Sequence, residues 1–122
     1  MTTENYIRIE LFFQPGPTLS AKIMRHLSPR TFTKIVTSLP MEGPIRRVGG
    51  FIMALLNLNA PFDKTKDFFE KGEIAYQPKT GAICIATERT QAVGMAPLGN
   101  VEDIELLSDI GTGGWLRIRR LQ

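Results

Sequence analysis

The sequence predicts a mainly β fold, closed into a barrel of about eight short strands with one or two small capping helices. Three observations predict it. Short runs alternate apolar and polar residues, most cleanly at Tyr6–Phe13, where Ile7, Ile9, Leu11 and Phe13 oppose Arg8 and Glu10. Clusters of glycine and proline punctuate these runs at turn-like intervals. A segment opening at Ser28-Pro29 repeats its apolar residues at helical spacing. A helix could also be drawn through Ile23 and Leu27, where the flanking prolines and tight turn favour a hairpin. The spacing of the short strands argues for a closed or sandwich-like architecture, and closure would remove the exposed strand edges of an open sheet.

Each element has its own signal. Gln14-Pro15-Gly16-Pro17 ends the first strand, since proline has no ladder N–H and glycine tolerates the turn. Leu19–Leu27 carries the alternation onward as a second strand, with Lys22 outward. Ser28 and Pro29 then form a helix start, a hydroxyl cap followed by a ring that fixes φ. Phe32, Ile35, Val36 and Leu39 make one apolar face, and Pro40 stops the helix. A helix this short cannot stand alone in water and must dock on a sheet, as a small helix capping one mouth of a barrel would.

Beyond it, Ile45–Leu58 reads as extended chain interrupted at Gly49-Gly50 by a bulge or sharp bend. Ala60 to Asp67 reads as a surface loop whose end is anchored by Phe68-Phe69. Gly72–Gln77 and Ala82–Thr87 form a hairpin across Pro78-Lys79-Thr80-Gly81. Gln91–Gly94 reads as loop and Met95–Val101 as a strand, followed by a helical turn over Asp103–Leu107. Gly111-Thr112-Gly113-Gly114 turns the chain into a last strand, Trp115–Leu121.

A chain of 122 residues forms one domain, 1–122, large enough to bury a core. No apolar run reaches the length of a membrane span, and residues 1–5 lack the basic and apolar stretches of a signal peptide, so a cytoplasmic protein without membrane contact is expected. The single cysteine, Cys84, lies among apolar and small neighbours and reads as buried filler. The net charge of +3 is spread along the chain, which gives no nucleic-acid signature and leaves no nucleic-acid partner expected. His26, the one histidine, reads as a strand residue and cannot build a metal site by itself. Asp63, Asp67 and Glu70 do not form a calcium loop, and the glycine-rich turn lacks the Lys-Ser/Thr of a phosphate cradle. No metal and no cofactor is expected.

Several local phrases resemble the cyclophilin-like superfamily. Leu19–Leu27 running into Ser28-Pro29-Arg30-Thr31 is similar to that family's second strand and helix opening. Gly72–Gln77 with the Gly81 hairpin resembles its paired central strands. Leu98-Gly99-Asn100-Val101 leading to Ile104-Glu105 resembles its late Phe-Gly-x-Val segment. The Leu39-Pro40-Met41-Glu42-Gly43 step resembles compact prokaryotic members of unassigned activity. The resemblance implies a groove like that of peptidyl-prolyl cis-trans isomerases, with Arg46 and Phe51 in the catalytic places. It also implies Arg47, Met53, Ile83, Ile85 and Met95 as ligand-binding residues. A bulge at Gly49-Gly50 brings Arg46 beside Phe51; without it Arg47 takes that place. The family's groove glutamine falls near Ala54, its second glutamine and phenylalanine fall within Thr80–Ile85, and its histidine falls near Met95.

The expectation is therefore a cyclophilin-like module binding a peptide or small ligand with little or no isomerisation. A divergent isomerase using Arg46 and Phe51 is the second reading, and a structural homo-oligomer built on the apolar strands the third.

Overall fold

The structure, a computed structural model, describes residues 5–111 and 113–121. It contains strands β1 (Tyr6–Gln14), β2 (Thr18–Met24), β3 (Met41–Val48), β4 (Phe51–Leu55), β5 (Lys66–Phe69), β6 (Glu73–Gln77), β7 (Ala82–Ala86), β8 (Thr90–Val101) and β9 (Trp115–Arg120), and one helix, α1 (Pro29–Ser38). Eight of the strands run round in the order β2-β1-β9-β3-β4-β7-β6-β8, and a β2–β8 pairing completes the ring. Each pairing is antiparallel. The expected closed barrel is present, with β5 as an additional strand outside the ring, hydrogen-bonded to β8.

Gly99 shows why the ring can close. A Cβ at this position would lie 1.8 Å from the Lys22 carbonyl oxygen, so only glycine lets β8 approach β2. Inside the ring, alternate residues of every strand meet in one cluster that includes Leu11, Phe13, Leu98, Leu116 and Ile118, all nearly inaccessible. Phe32 and Ile35 of α1 join this cluster at one mouth, with Val36 and Leu39 packed against them. The 3-10 turn Ile104–Asp109 closes the opposite mouth with Leu107 and Ile110.

Several boundaries differ from the sequence reading. The second strand ends at Met24, and Arg25–Leu27, with His26, is a 3-10 turn, because the chain must swing over the mouth to start α1. The Ser28 hydroxyl does not cap the helix. It is buried and donates to the Pro97 carbonyl (2.8 Å), while Asp63 Oδ2 accepts from the Arg30 N–H (3.1 Å) in its place. Gly49-Gly50 is a hairpin turn that separates β3 from β4, with Val48 opposite Phe51, rather than a bulge within one strand. Positive φ at Gly49 (59°) suits the first central position of a primed two-residue turn. Lys66 and Asp67 belong to β5, and Gln91–Gly94 belongs to β8, because the two segments pair with each other where no loop pattern predicts it. In the last glycine-rich turn, Thr112 lies outside the described residues.

Folding also redistributes charge. The outward positions of β1, β2, β3 and β9 bring together Arg8, Lys22, Arg46, Arg117 and Arg119. Glu10 and Glu42 are the carboxylates on those same outward positions. Cations scattered in the sequence thus share one side of the barrel.

Candidate functional site: a groove on the outside of the barrel

A barrel strand that is buried on both faces needs cover outside as well as inside, and β4, β6 and β7 are buried on both. Their outward residues are mostly small: Ala82, Cys84 and Ala86 on β7, and Ala75 on β6. Phe51 and Met53 flank this floor from β4. The cover comes from a two-stranded ribbon made by β5 and the first half of β8, which brings in Phe69, Ala92 and Met95. Phe69 is fully buried and meets Phe51 edge to face, with ring centroids 5.9 Å apart. Cys84 lies at the centre of the floor, and burial pushes its thiol up from an ordinary 9.0 to about 12. It is a packing atom, as expected, and not a nucleophile.

The ribbon does not reach the β3–β4 turn along its whole length. The remaining gap is a groove of about 260 Å³. Its apolar surface comes from Val48, Phe51, Met53, Ala92, Val93 and Met95. Gln77, Thr90 and Gln91 provide its polar groups, and all the lining side chains among the described residues are uncharged. The Gln77 amide oxygen accepts from the Thr80 hydroxyl (2.5 Å), which leaves its NH₂ donors for another partner. The turn wall is tied down, because the Gly50 carbonyl accepts from both the N–H (2.8 Å) and the hydroxyl (3.0 Å) of Thr87. A mainly apolar cleft with a few amide and hydroxyl groups suits an uncharged ligand rich in apolar and amide groups.

Comparison with known proteins places this geometry in context. The chain is similar to the solution structure of the hypothetical protein AF2241 from Archaeoglobus fulgidus, with TM-score 0.80 and 20% identity, covering 99% of this chain and 100% of that one. It is also similar to the structure of McbB in complex with tryptophan, with TM-score 0.78 and 20% identity over 92% of this chain. The match spans 44% of the McbB chain. The likeness is one of fold. No protein-family profile matches the sequence, and no curated protein does.

The residues expected at the site divide into four groups. Phe51, Met53 and Met95 line the groove together. Arg46 stands beside it, directly opposite Met53 in the β3–β4 register and on the same outward face as Val48 and Phe51. The hairpin turn achieves the juxtaposition with Phe51 that a bulge was expected to give. Arg46 is exposed and has no hydrogen bond or ion pair among the described residues. Arg47, one position on, has the opposite parity. It reaches over the barrel mouth, and its Nη2 donates to the Ile110 carbonyl (2.8 Å), holding the 3-10 closure. Ile83 and Ile85 point into the barrel and are 3% and 1% exposed, so they are core residues and not groove residues. Alternation along β7 explains this, because Cys84 takes the outward place between them.

Gln77, Thr90, Gln91, Ala92 and Val93 are groove residues that sequence reasoning missed. The ribbon has no sequence signature as a lid. The one available signal was Val93, an apolar residue in an apparent loop, which is 84% exposed at the groove rim.

No helix among the described residues is long and apolar enough to cross a membrane.

Proposed function

We propose that this protein is a cyclophilin-like binding module whose outer groove takes an extended peptide or a small amide-containing ligand, with little or no isomerisation. The observation that carries this reading is the groove itself. An apolar cleft is flanked by amide donors and bordered by Arg46, which has no hydrogen bond or ion pair among the described residues. Phe51 offers a flat wall for a proline or aromatic ring, and Met53 and Met95 adapt to its shape. Gln77 and Gln91 supply donors and acceptors for the ligand's amides. These are the tasks of a binding site, and no acid–base pair is needed for them. The resemblance in element order to the cyclophilin-like superfamily supports the reading.

A second reading is favoured by one observation, the shared face of Arg46 and Phe51. Rotation about an X–Pro bond faces a barrier of about 18–20 kcal/mol from amide resonance. A guanidinium donating to the prolyl nitrogen reduces the double-bond character of that bond as it twists. Arg46 on the rim can make this donation to a proline seated on Phe51.

A thermal-shift titration with X-Pro peptides, and with tryptophan as the small ligand held by the McbB structure, tests the binding reading. It predicts saturable stabilisation that Phe51→Ala removes. Failure of every probe to stabilise the protein overturns it. A coupled isomerase assay on the same peptides separates the two readings. Turnover above background that disappears in Arg46→Ala favours the isomerase, whereas binding without turnover favours the module.

A further inference from the structure

The opposite side of the barrel is built differently and has no ribbon over it. On β1 and β9, Phe12 and Trp115 are 38% and 40% exposed at outward positions. Registers place Phe12 opposite Arg117, and Arg117 follows Trp115 by two residues on the same face. The three side chains therefore form one triangle, an arginine between two aromatic rings. The Trp115 Nε1–H donates to Glu42 Oε1 (2.8 Å), which fixes the indole by its edge. Arg117 has no hydrogen bond or ion pair among the described residues. A cavity of about 220 Å³ opens between Glu10, Phe12, Arg117 and Arg119.

Charge reinforces this pattern. The outward cations of these strands outnumber the outward carboxylates, and Glu10 is already engaged by Arg119 (2.6 Å). Glu42 is likewise occupied by the indole. With Arg119 paired to Glu10 and Arg8 to Glu102, Lys22, Arg46 and Arg117 stand against Glu42, which lies opposite Arg117 in register, so the face keeps a net positive charge toward a polyanion.

From this juxtaposition we infer that the β1–β9 face binds single-stranded nucleic acid, with bases stacking on Phe12 and Trp115 and phosphates contacting Arg117 and its cationic neighbours. Exposed aromatics alternating with arginines on a sheet match what a single strand offers, a row of flat rings joined by anions. A duplex hides its base faces and gives the rings nothing to stack on. An anionic bilayer would need the rings to insert, and the Glu42 carboxylate that accepts from the Trp115 indole would have to enter with it. The face is distinct from the groove and its ligand.

Trp115 is the chain's one tryptophan, so its fluorescence reports on this face alone. The experiment titrates the full chain with oligothymidylate and oligouridylate, following tryptophan emission and the anisotropy of a labelled strand. Saturable quenching is expected, with log K falling against log salt at a slope of about −2 for three phosphate contacts. Trp115→Ala is expected to weaken binding roughly tenfold or more, while Trp115→Phe, which keeps a stacking ring, stays within a few-fold. Melting curves establish that each variant is folded, and Arg117→Ala should lower the salt slope by about 0.7. Four outcomes overturn the inference: no quenching at low salt; polyphosphate or duplex binding as tightly as the single strand; anionic vesicles shifting the emission when the oligonucleotides do not; or self-association of the chain accounting for the exposed rings.

Discussion

Two hydrophobic clusters among the described residues share strands β4, β6, β7 and β8 and differ in what closes them. The inner cluster is enclosed on all sides by the ring, with α1 and the 3-10 turn at its ends. The outer cluster has a floor of alanines and Cys84, a partial ribbon above, and an open side where Phe51, Met53 and Met95 border solvent. Strand β7 shows the contrast within five residues. Ile83 and Ile85 face inward into a packed core, and Ala82, Cys84 and Ala86 face outward under the groove. Large residues build the interior that defines the fold. Small residues outside leave the space in which a ligand can sit.

The largest effect that tests this contrast is expected at the inner cluster. Phe32→Ala removes a fully buried ring from the mouth and should cost about 3–5 kcal/mol, read from denaturant midpoints. The buried thiol provides a pH test of the outer floor. Because the folded protein holds Cys84 protonated up to about 12, the unfolded chain releases its proton first as pH rises above 9.0. Stability from this source is complete below that point and declines through the window by about 1.4 kcal/mol per pH unit. The difference between the wild type and Cys84→Ala should display the decline. A flat difference would mean that the floor is open to water.

Phe51→Ala should cost less than the Phe32 substitution, about 2–3 kcal/mol, because the site loses its edge-to-face partner but adjoins an open groove into which it can relax. Equal costs would erase the distinction between a closed core and an open one. At the mouth, Arg47→Ala should cost about 1 kcal/mol and raise amide exchange across residues 104–110, since it frees the Ile110 carbonyl. Arg46→Ala should change stability by less than about 0.5 kcal/mol, as expected of an exposed side chain without a partner.

Much of the barrel was legible in the sequence because alternation is a local signal. Ile7, Ile9, Leu11 and Phe13 declared the face of β1 directly, and the Phe32/Ile35 spacing declared α1 and its role as a plug. The ribbon was not legible. Lys66 and Asp67 are polar, the β5–β8 register is irregular between Lys66 and Phe68, and Gly94 interrupts its strand at positive φ (75°). The segment forms strand through long-range pairing that no local pattern records. The site was legible in part for the same reason. Phe51, Met53 and Met95 line the groove, whereas the alternation of β7 turns Ile83 and Ile85, which the resemblance implies for it, into the core. The choice between Arg46 and Arg47 depended on a two-residue hairpin turn, whose parity differs from that of a continuous strand.

Methyl NMR on the methionines tests the groove most directly. Met53 and Met95 line it, while Met24 and Met41 lie elsewhere on the barrel and serve as internal references. On titration with an X-Pro peptide, the Met53 and Met95 methyls should shift together and saturate, with Met24 and Met41 unmoved. Saturable binding that leaves Met53 and Met95 in place would contradict the assignment of the ligand site to the outer face.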